Sequence, residues 1–342
     1  MKRLFFKDKL DRFIKGEENE FVCLDLGSAY TKGLYIKEGT VKSFFIERSK
    51  GEAVNVAIDW IKRDKLVYKP LRIAIKGQET LIRYIPFPKV EKEVFKESLG
   101  YEISQFIPFK KEDIYYDADI VDDNYSPKES LIILALCKKN LVDNLINRFN
   151  AEKINITKIN LSGIAILNSF LIYKMHNPQK EDTKENVALV DIGNSSTIIN
   201  LIKKGIPCLS REVKPSSKDF IHKIANLKNC SYEEAENFIR TIDTVMFNKD
   251  NEIINVMKET VETICDEIKS SLDYFEMNWG ESIERIYLSG GIMRVKLLES
   301  SIVDYLGKDS KIWSPLKVIP LKNKQEMEKF EEFIIVLLGL SL

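Results

Sequence analysis

Two short segments carry the residue types that handle phosphate. In DLGSAYTKG, Asp25, Gly27, Ser28 and Lys32 stand close together. A glycine lets backbone amides approach a phosphate, a serine hydroxyl donates to its oxygens, and a lysine adds a point charge. A carboxylate fits such a place if it binds water on a magnesium ion. In DIGNSSTI, Asp191, Gly193, Asn194, Ser195 and Thr197 repeat the pattern, but Ile198 stands where the first copy has Lys32. Only the first copy therefore supplies a cation. A third segment, IYLSGGIM, ends an apolar run in Ser289, Gly290 and Gly291, a geometry that lets a flat purine ring lie against backbone. Each motif also has a plainer reading: a hairpin turn with a surface lysine, or a left-handed turn between strand and helix.

The elements around these motifs decide between the readings. FVCLDLG, TKGLYIKEG and TVKSFFIE alternate as strands between turn signals, and NVALVDIG, TIINLIKKG and IPCLSREV repeat the arrangement. At an offset of 166 residues Asp25 matches Asp191, Gly27 matches Gly193, Thr31 matches Thr197, Ile36 matches Ile202 and Gly39 matches Gly205. A common turn explains one copy; two copies with matched hairpins point to a duplicated, two-lobed α/β fold.

Between the copies, Ala53–Ile61 reads as a helix and Leu71–Ile75 as a strand. Val90, Val94, Leu99, Ile103 and Phe106 then fall at helical spacing, predicting a helix over Glu91–Phe106 between IPFP and IPFK. Leu131–Leu136 reads as a strand and Leu141–Asn150 as an amphipathic helix, completing an α+β insert of about 70 residues. Residues 214–240 read as mostly helical, with Ser231 opening a capping box. A long amphipathic helix is expected over Met257–Trp279 and a closing helix over Glu326–Leu340.

The 342 residues carry 52 Lys+Arg and 52 Asp+Glu, which argues against nucleic-acid binding through bulk charge. Five scattered cysteines without a CxxC pair, and only two histidines, favour reduced thiols over disulfides, zinc or a histidine triad. The opening 20 residues mix charge with Leu4, Phe5, Phe6, Leu10, Phe13 and Ile14, the spacing of a short amphipathic helix that packs on its own domain or docks on a membrane or partner. No leader or membrane-spanning run is read, and a cytoplasmic protein is expected. GxxxxGK[ST] and GxGxxG are absent.

The order DxG, DxG, LSGG resembles the phosphate 1, phosphate 2 and adenosine motifs of the actin, sugar kinase and DnaK superfamily. The insert narrows the resemblance. RYIPFP, YEISQFIPF and DIYYDADIV, with the later YEEAENFI and EEFIIVLLGLSL, resemble the PilM family of FtsA-like proteins in type IV pilus assembly, from about Phe21 to the end.

The resemblance implies an actin-like ATPase fold of two ribonuclease H-like lobes with an FtsA/PilM-type 1C (SHS2) insert. Residues 21–88 and 158–183 would form the first lobe, 89–157 the insert, 184–213 and 254–320 the second lobe, 214–253 its small subdomain, and 321–342 a helix returning to the first lobe. It implies ATP with magnesium between the lobes. Asp25, Gly27, Ser28 and Lys32 would serve one phosphate loop and Asp191, Gly193, Asn194 and Ser195 the other. Ser289, Gly290 and Gly291 would flank adenosine and Glu236 would reach the ribose. Asp25 and Asp191 would hold magnesium through water.

The implied partner is the cytoplasmic N-terminal tail of a PilN-like inner-membrane protein, which would hold the chain at the inner face of the membrane. The pilus assembly ATPase and a second copy of the chain are further candidates. Phe106, Phe109, Tyr115 and Tyr116, at the exit of the insert helix, would line the groove for that tail.

Two departures bear on activity. Lys214 and Pro215 stand where the family carries a glycine pair, and INLSGIAIL offers Asn160 and Ser162 but no acid to orient an attacking water. Hydrolysis is expected to be slow. An FtsA-like cell-division protein and a phosphotransferase of the sugar-kinase type are the alternatives; the first characteristically ends in a linker and membrane helix, and the second needs a carboxylate base.

Overall fold

The computed structural model describes residues 20–91, 93–176, 185–241, 251–319 and 321–341; the amphipathic segment read over the first 20 residues lies almost wholly outside them. The chain opens with β1 (Glu20–Leu26), β2 (Tyr30–Lys37) and β3 (Thr40–Arg48), then α1 (Ala53–Arg63), β4 (Leu71–Ile75) and β5 (Thr80–Pro88). It continues through α2 (Phe95–Glu102), β6 (Ile114–Asp122), β7 (Glu129–Lys138), α3 (Lys139–Ala151), β8 (Ile156–Leu161) and α4 (Ser162–His176). The second half runs β9 (Val187–Ile192), β10 (Thr197–Lys203), β11 (Ile206–Val213), α5 (Ser217–Lys228), α6 (Tyr232–Thr241) and α7 (Asn251–Trp279). It closes with β12 (Arg285–Ser289), α8 (Lys296–Leu306), β13 (Asp309–Ile312) and α9 (Ile335–Leu340).

The duplication is visible in the sheets. One has the order β3-β2-β1-β4-β8 and another the matching order β11-β10-β9-β12-β13. In each, two hairpins precede parallel pairings, β1 with β4 and β4 with β8, β9 with β12 and β12 with β13. The match extends to irregularities. A register shift falls between Tyr35 and Ile36 in the first copy and between Leu201 and Ile202, the equivalent pair, in the second. The turns that follow, Glu38-Gly39 and Lys204-Gly205, each hold two consecutive residues at positive φ, the geometry that suits the twist of a tight hairpin.

The lobes are not independent bodies. One apolar core joins Phe21, Cys23, Leu34 and Ile36 of the first lobe to Val187, Leu189, Ile198 and Tyr287 of the second, with Ile166 and Phe170 of α4 and Leu337 and Leu338 of α9 packed between. The closing segment differs from the expected continuous helix. Gln325–Phe330 is a 3-10 turn and regular helix resumes only at Ile335, because the carbonyl of Glu332 is drawn off to accept the Gly290 amide at 3.1 Å.

The insert is a third sheet, β5-β7-β6, covered by α2. β5 lies in this sheet, ahead of the boundary drawn at residue 89, and α3 packs through Val142, Leu145 and Phe149 on the first-lobe core beside Trp60. The helix expected over Glu91–Phe106 is regular only from Phe95 to Glu102 and tightens into 3-10 geometry over Ile103–Gln105. Leu99 and Ile103 are buried as the spacing demands, whereas Val90 and Val94 are exposed. The capping box at Ser231 forms, with its hydroxyl accepting from the Glu234 amide and Glu234 accepting from Ser231. The five cysteines are unpaired thiols.

Candidate functional site

The two DxG turns both line one cleft, each as the turn of an equivalent hairpin, β1-β2 and β9-β10. In β1 Asp25 lies directly opposite Lys32 on β2, and in β9 Asp191 lies directly opposite Ile198 on β10. Asp25 and Asp191 are both buried, and the cleft is lined by Gly27, Ser28, Lys32, Lys76, Gly193 and Asn194. The same cleft is also walled by Ile221, Ile239, Ile292, Val295, Phe333 and Val336, with Gly290 and Gly291. Charged and apolar groups thus share one cleft.

The charged groups are internally wired. Lys32 donates to Asp25 at 2.5 Å. Ser289 donates to Asp191 at 2.9 Å, so this serine positions a carboxylate and does not line the cleft with its two glycine neighbours. Burial pushes the Asp191 carboxyl above the usual aspartate range, and the nearby Lys76 charge, the Ser289 hydrogen bond and Lys32 pull it back, while Asp25 pushes it further up. Two carboxylates with two lysines suit a magnesium ion that keeps most of its ligands as water and phosphate oxygens, not an all-protein cage. Among the described residues no group of three or more His, Cys, Asp or Glu side chains could hold a metal unaided.

The cleft is held shut by direct contacts between the lobes. Asn194 donates to Ser28 at 3.1 Å and accepts from the Tyr232 hydroxyl at 2.7 Å. On the rim, Glu236 of α6 accepts from Tyr30 at 3.0 Å and pairs with Arg48 at 2.6 Å, while Arg48 also reaches Glu233 at 3.3 Å and lies over the Tyr30 ring. In this conformation the cleft holds about 90 Å³ of free space, against roughly 300–1,000 Å³ in sites that enclose small ligands.

Of the residues singled out from sequence, Asp25, Gly27, Ser28, Lys32, Asp191, Gly193, Asn194, Glu236, Gly290 and Gly291 meet in the cleft. Ser195 turns away, exposed, onto a second cavity bounded by Lys76, Ser162, Ser210 and Glu212. Lys214 and Pro215 lead into α5, whose first amides, from Ser217 and Lys218, are spent on the carbonyls of Gly193 and Asn194. Gly290 sits at φ 103°, and a side chain there would meet the Ile192 carbonyl, so its presence follows from backbone geometry alone. Asn160 lies on β8 and its side chain accepts from the Leu161 amide, and Ser162, at the start of α4, donates to the Ile75 carbonyl.

Sequence reasoning missed Lys76, Tyr30, Arg48 and Phe333. Lys76 was traceable in principle, since it follows a parallel strand next to the DxG strand and such strand ends face the crevice of an open α/β sheet.

The four insert aromatics do not share one face. Phe106, Phe109 and Tyr116 pack partly buried against the core under α2. Tyr115, one residue from Tyr116 on β6, points to the opposite face, where its hydroxyl donates to Asp143 at 3.0 Å.

The family model described as "Type IV pilus assembly protein PilM" matches residues 33–342. A solved structure of a "PilM-PilN type IV pilus biogenesis complex" superposes with a TM-score of 0.78 at 19% identity, covering 94% of this chain and 97% of that one. The ethanolamine utilization protein EutJ from Carboxydothermus hydrogenoformans gives 0.54 at 14% identity over 99% and 97%. MreB5 of Spiroplasma citri, solved with ADP, gives 0.51 at 13% identity over 94% and 95%. The fold is actin-like, and no helix of the described residues is long and apolar enough to cross a membrane. With the match running over residues 33–342, through the insert, the second DxG lobe and the closing segment, the chain belongs to the PilM family of type IV pilus assembly proteins.

Proposed function

We propose that the chain is a scaffold of type IV pilus assembly that binds magnesium-ATP between its lobes and takes the N-terminal tail of a PilN-like membrane protein on its insert. The observation that carries the nucleotide half is the convergence of Asp25, Asp191, Lys32 and Lys76 in one cleft that is also lined by Ile239, Ile292 and Phe333. Phosphates and magnesium belong with the charged groups, and a flat purine belongs between Ile239, Ile292 and Phe333. The backbone at Gly27 and the Ser28 hydroxyl would hold phosphate oxygens, Asp25 and Asp191 would orient the water shell of the ion, and Glu236, once released by Arg48, would reach the ribose. Bound magnesium would neutralise phosphate charge between the two carboxylates.

Turnover is slow on this reading, since Asn160 and Ser162 are both occupied by backbone groups and neither is an acid. The role of nucleotide is then to select a lobe arrangement through differential affinity. The partner half rests on family membership and on the insert itself, where Phe106, Phe109 and Tyr116 form a half-buried aromatic margin and Tyr101 of α2 is 80% exposed.

A fluorescent ATP analogue titrated with magnesium tests the nucleotide half. Asp25→Ala and Asp191→Ala should each weaken binding several-fold or more; unchanged affinity in both removes the site.

A further inference from the structure

The second DxG loop has no lysine of its own, since Ile198 stands opposite Asp191 where Lys32 stands opposite Asp25. The fold brings one from elsewhere. Lys76 follows β4 in the first lobe, and its ammonium lies 3.0 Å from where a Cβ on Gly193 would sit, directly against the second-lobe loop. It lines both the cleft and the second cavity on the far side of that loop.

The two lysines differ in what they are already doing. Lys32 is tied to Asp25. Lys76, half-buried, makes no hydrogen bond or ion pair with any described residue, and its charge pulls on Asp191. An ammonium withdrawn from water without an acceptor is costly, and an anion delivered to it recovers that cost. The polarity of the cleft says which anion group arrives. With a purine against Ile239, Ile292 and Phe333, the phosphates would run toward Asp25 and Asp191, and the outermost phosphate would come within reach of Lys76 beside the Gly193 loop.

We propose that Lys76 is the ligand of the terminal phosphate of a bound nucleoside triphosphate, standing in from the first lobe for the lysine that the second copy of the motif lacks. It thereby separates triphosphate from diphosphate, and it couples that distinction to the lobes, because its backbone belongs to one and its target loop to the other. This rests on the nucleotide reading above.

The test is calorimetric titration of the full chain with magnesium and either ADP or a non-hydrolysable ATP analogue, comparing wild type with Lys76→Gln, Lys76→Met and Lys76→Arg. Loss of one charge-assisted contact should weaken the ATP analogue by at least about tenfold in Lys76→Gln and Lys76→Met. ADP should change by less than about threefold, and Lys76→Arg should recover part of the preference. Without nucleotide, circular dichroism should show Lys76→Gln and Lys76→Met folded like the wild type, with melting lowered only by the lost pull of Lys76 on the buried Asp191, and Lys76→Arg should restore it. A wild type that prefers the ATP analogue, with Lys76→Gln and Lys76→Met losing both nucleotides equally or neither, overturns the assignment of Lys76 while leaving the site intact. A wild type that binds neither nucleotide overturns the nucleotide reading and this inference with it.

Discussion

The rim clasp between Arg48 and Glu236 should behave as a coupled pair, and a double-mutant cycle on the nucleotide-free chain measures it. Their 2.6 Å separation gives a gross attraction of about 6 kcal/mol at an effective dielectric of about 20. Most of that is offset by the water that Glu236 gives up, since only 8% of its side chain stays exposed against 25% for Arg48. A charge-assisted hydrogen bond in this setting leaves a net coupling of about 2 kcal/mol. Arg48→Met should therefore destabilise more than Glu236→Gln, because it leaves a buried carboxylate without its ion-pair partner, and the double variant should be more stable than the sum of the two losses predicts. Urea unfolding is the assay, and the core shared by both lobes predicts one cooperative transition. A coupling below about 0.5 kcal/mol, the value of an ordinary exposed pair, would show that the contact does not hold the lobes together.

Burial raises Asp191 in the folded chain, so its contribution to stability falls as pH rises from near 4 through the folded value; Asp191→Asn should melt higher than wild type at neutral pH, with the gap closing toward pH 4, even as magnesium-dependent nucleotide binding weakens. Gly339→Ala should cost about 3 kcal/mol or more, since the new methyl would sit 1.8 Å from the backbone carbonyl of Ala165, and no side-chain change at 165 should rescue the loss in Tm. Steady-state phosphate release should stay far below the common enzyme turnover of about 10 per second; a rate near that value would point to a true kinase or ATPase. A synthetic tail of the PilN-like partner should slow hydrogen exchange across residues 85–125 in a way that ATP alone does not, and protection confined to the Asp25 and Asp191 turns would contradict partner binding on the insert.

The duplicated hairpins were legible because period-two apolar patterns and glycine turns are local, and the offset that matched Asp25 with Asp191 also matched Ile36 with Ile202, where the strands carry their shared irregularity. What escaped was whatever depends on contacts between distant segments. Tyr30 and Glu236 are 206 positions apart, and nothing near either announces the other. Lys76 reads from sequence as a lysine leaving a strand, and its role comes from the loop that Gly193 places beside it. Helical spacing over Glu326–Leu340 was real, but the Gly290 amide claims the Glu332 carbonyl and turns Phe333 toward the cleft, a tertiary bond that overrides local propensity. Tyr115 and Tyr116 show the opposite failure. Adjacency in sequence suggested one aromatic surface, and strand geometry sends them to two.

The insert touches both lobes. Val121, Leu131 and Ile133 on one face of its sheet pack against Ile164 of α4 and Ile206 of β11, Tyr84 and Ser210 share a hydrogen bond at 3.0 Å, and the Gly77 amide at its entrance donates to Glu212 of β11 at 2.8 Å. If the cleft opens by rotation of the lobes this face must slide, and the insert and the cleft would then be two ends of one equilibrium. Linkage then runs in both directions with equal strength. A ligand that grips the insert in one lobe arrangement shifts affinity in the cleft by a fixed factor, and a ligand in the cleft shifts affinity on the insert by the same factor. On the proposed reading, a scaffold built this way would need no catalytic cycle to pass a signal: occupancy at either end would itself be the message.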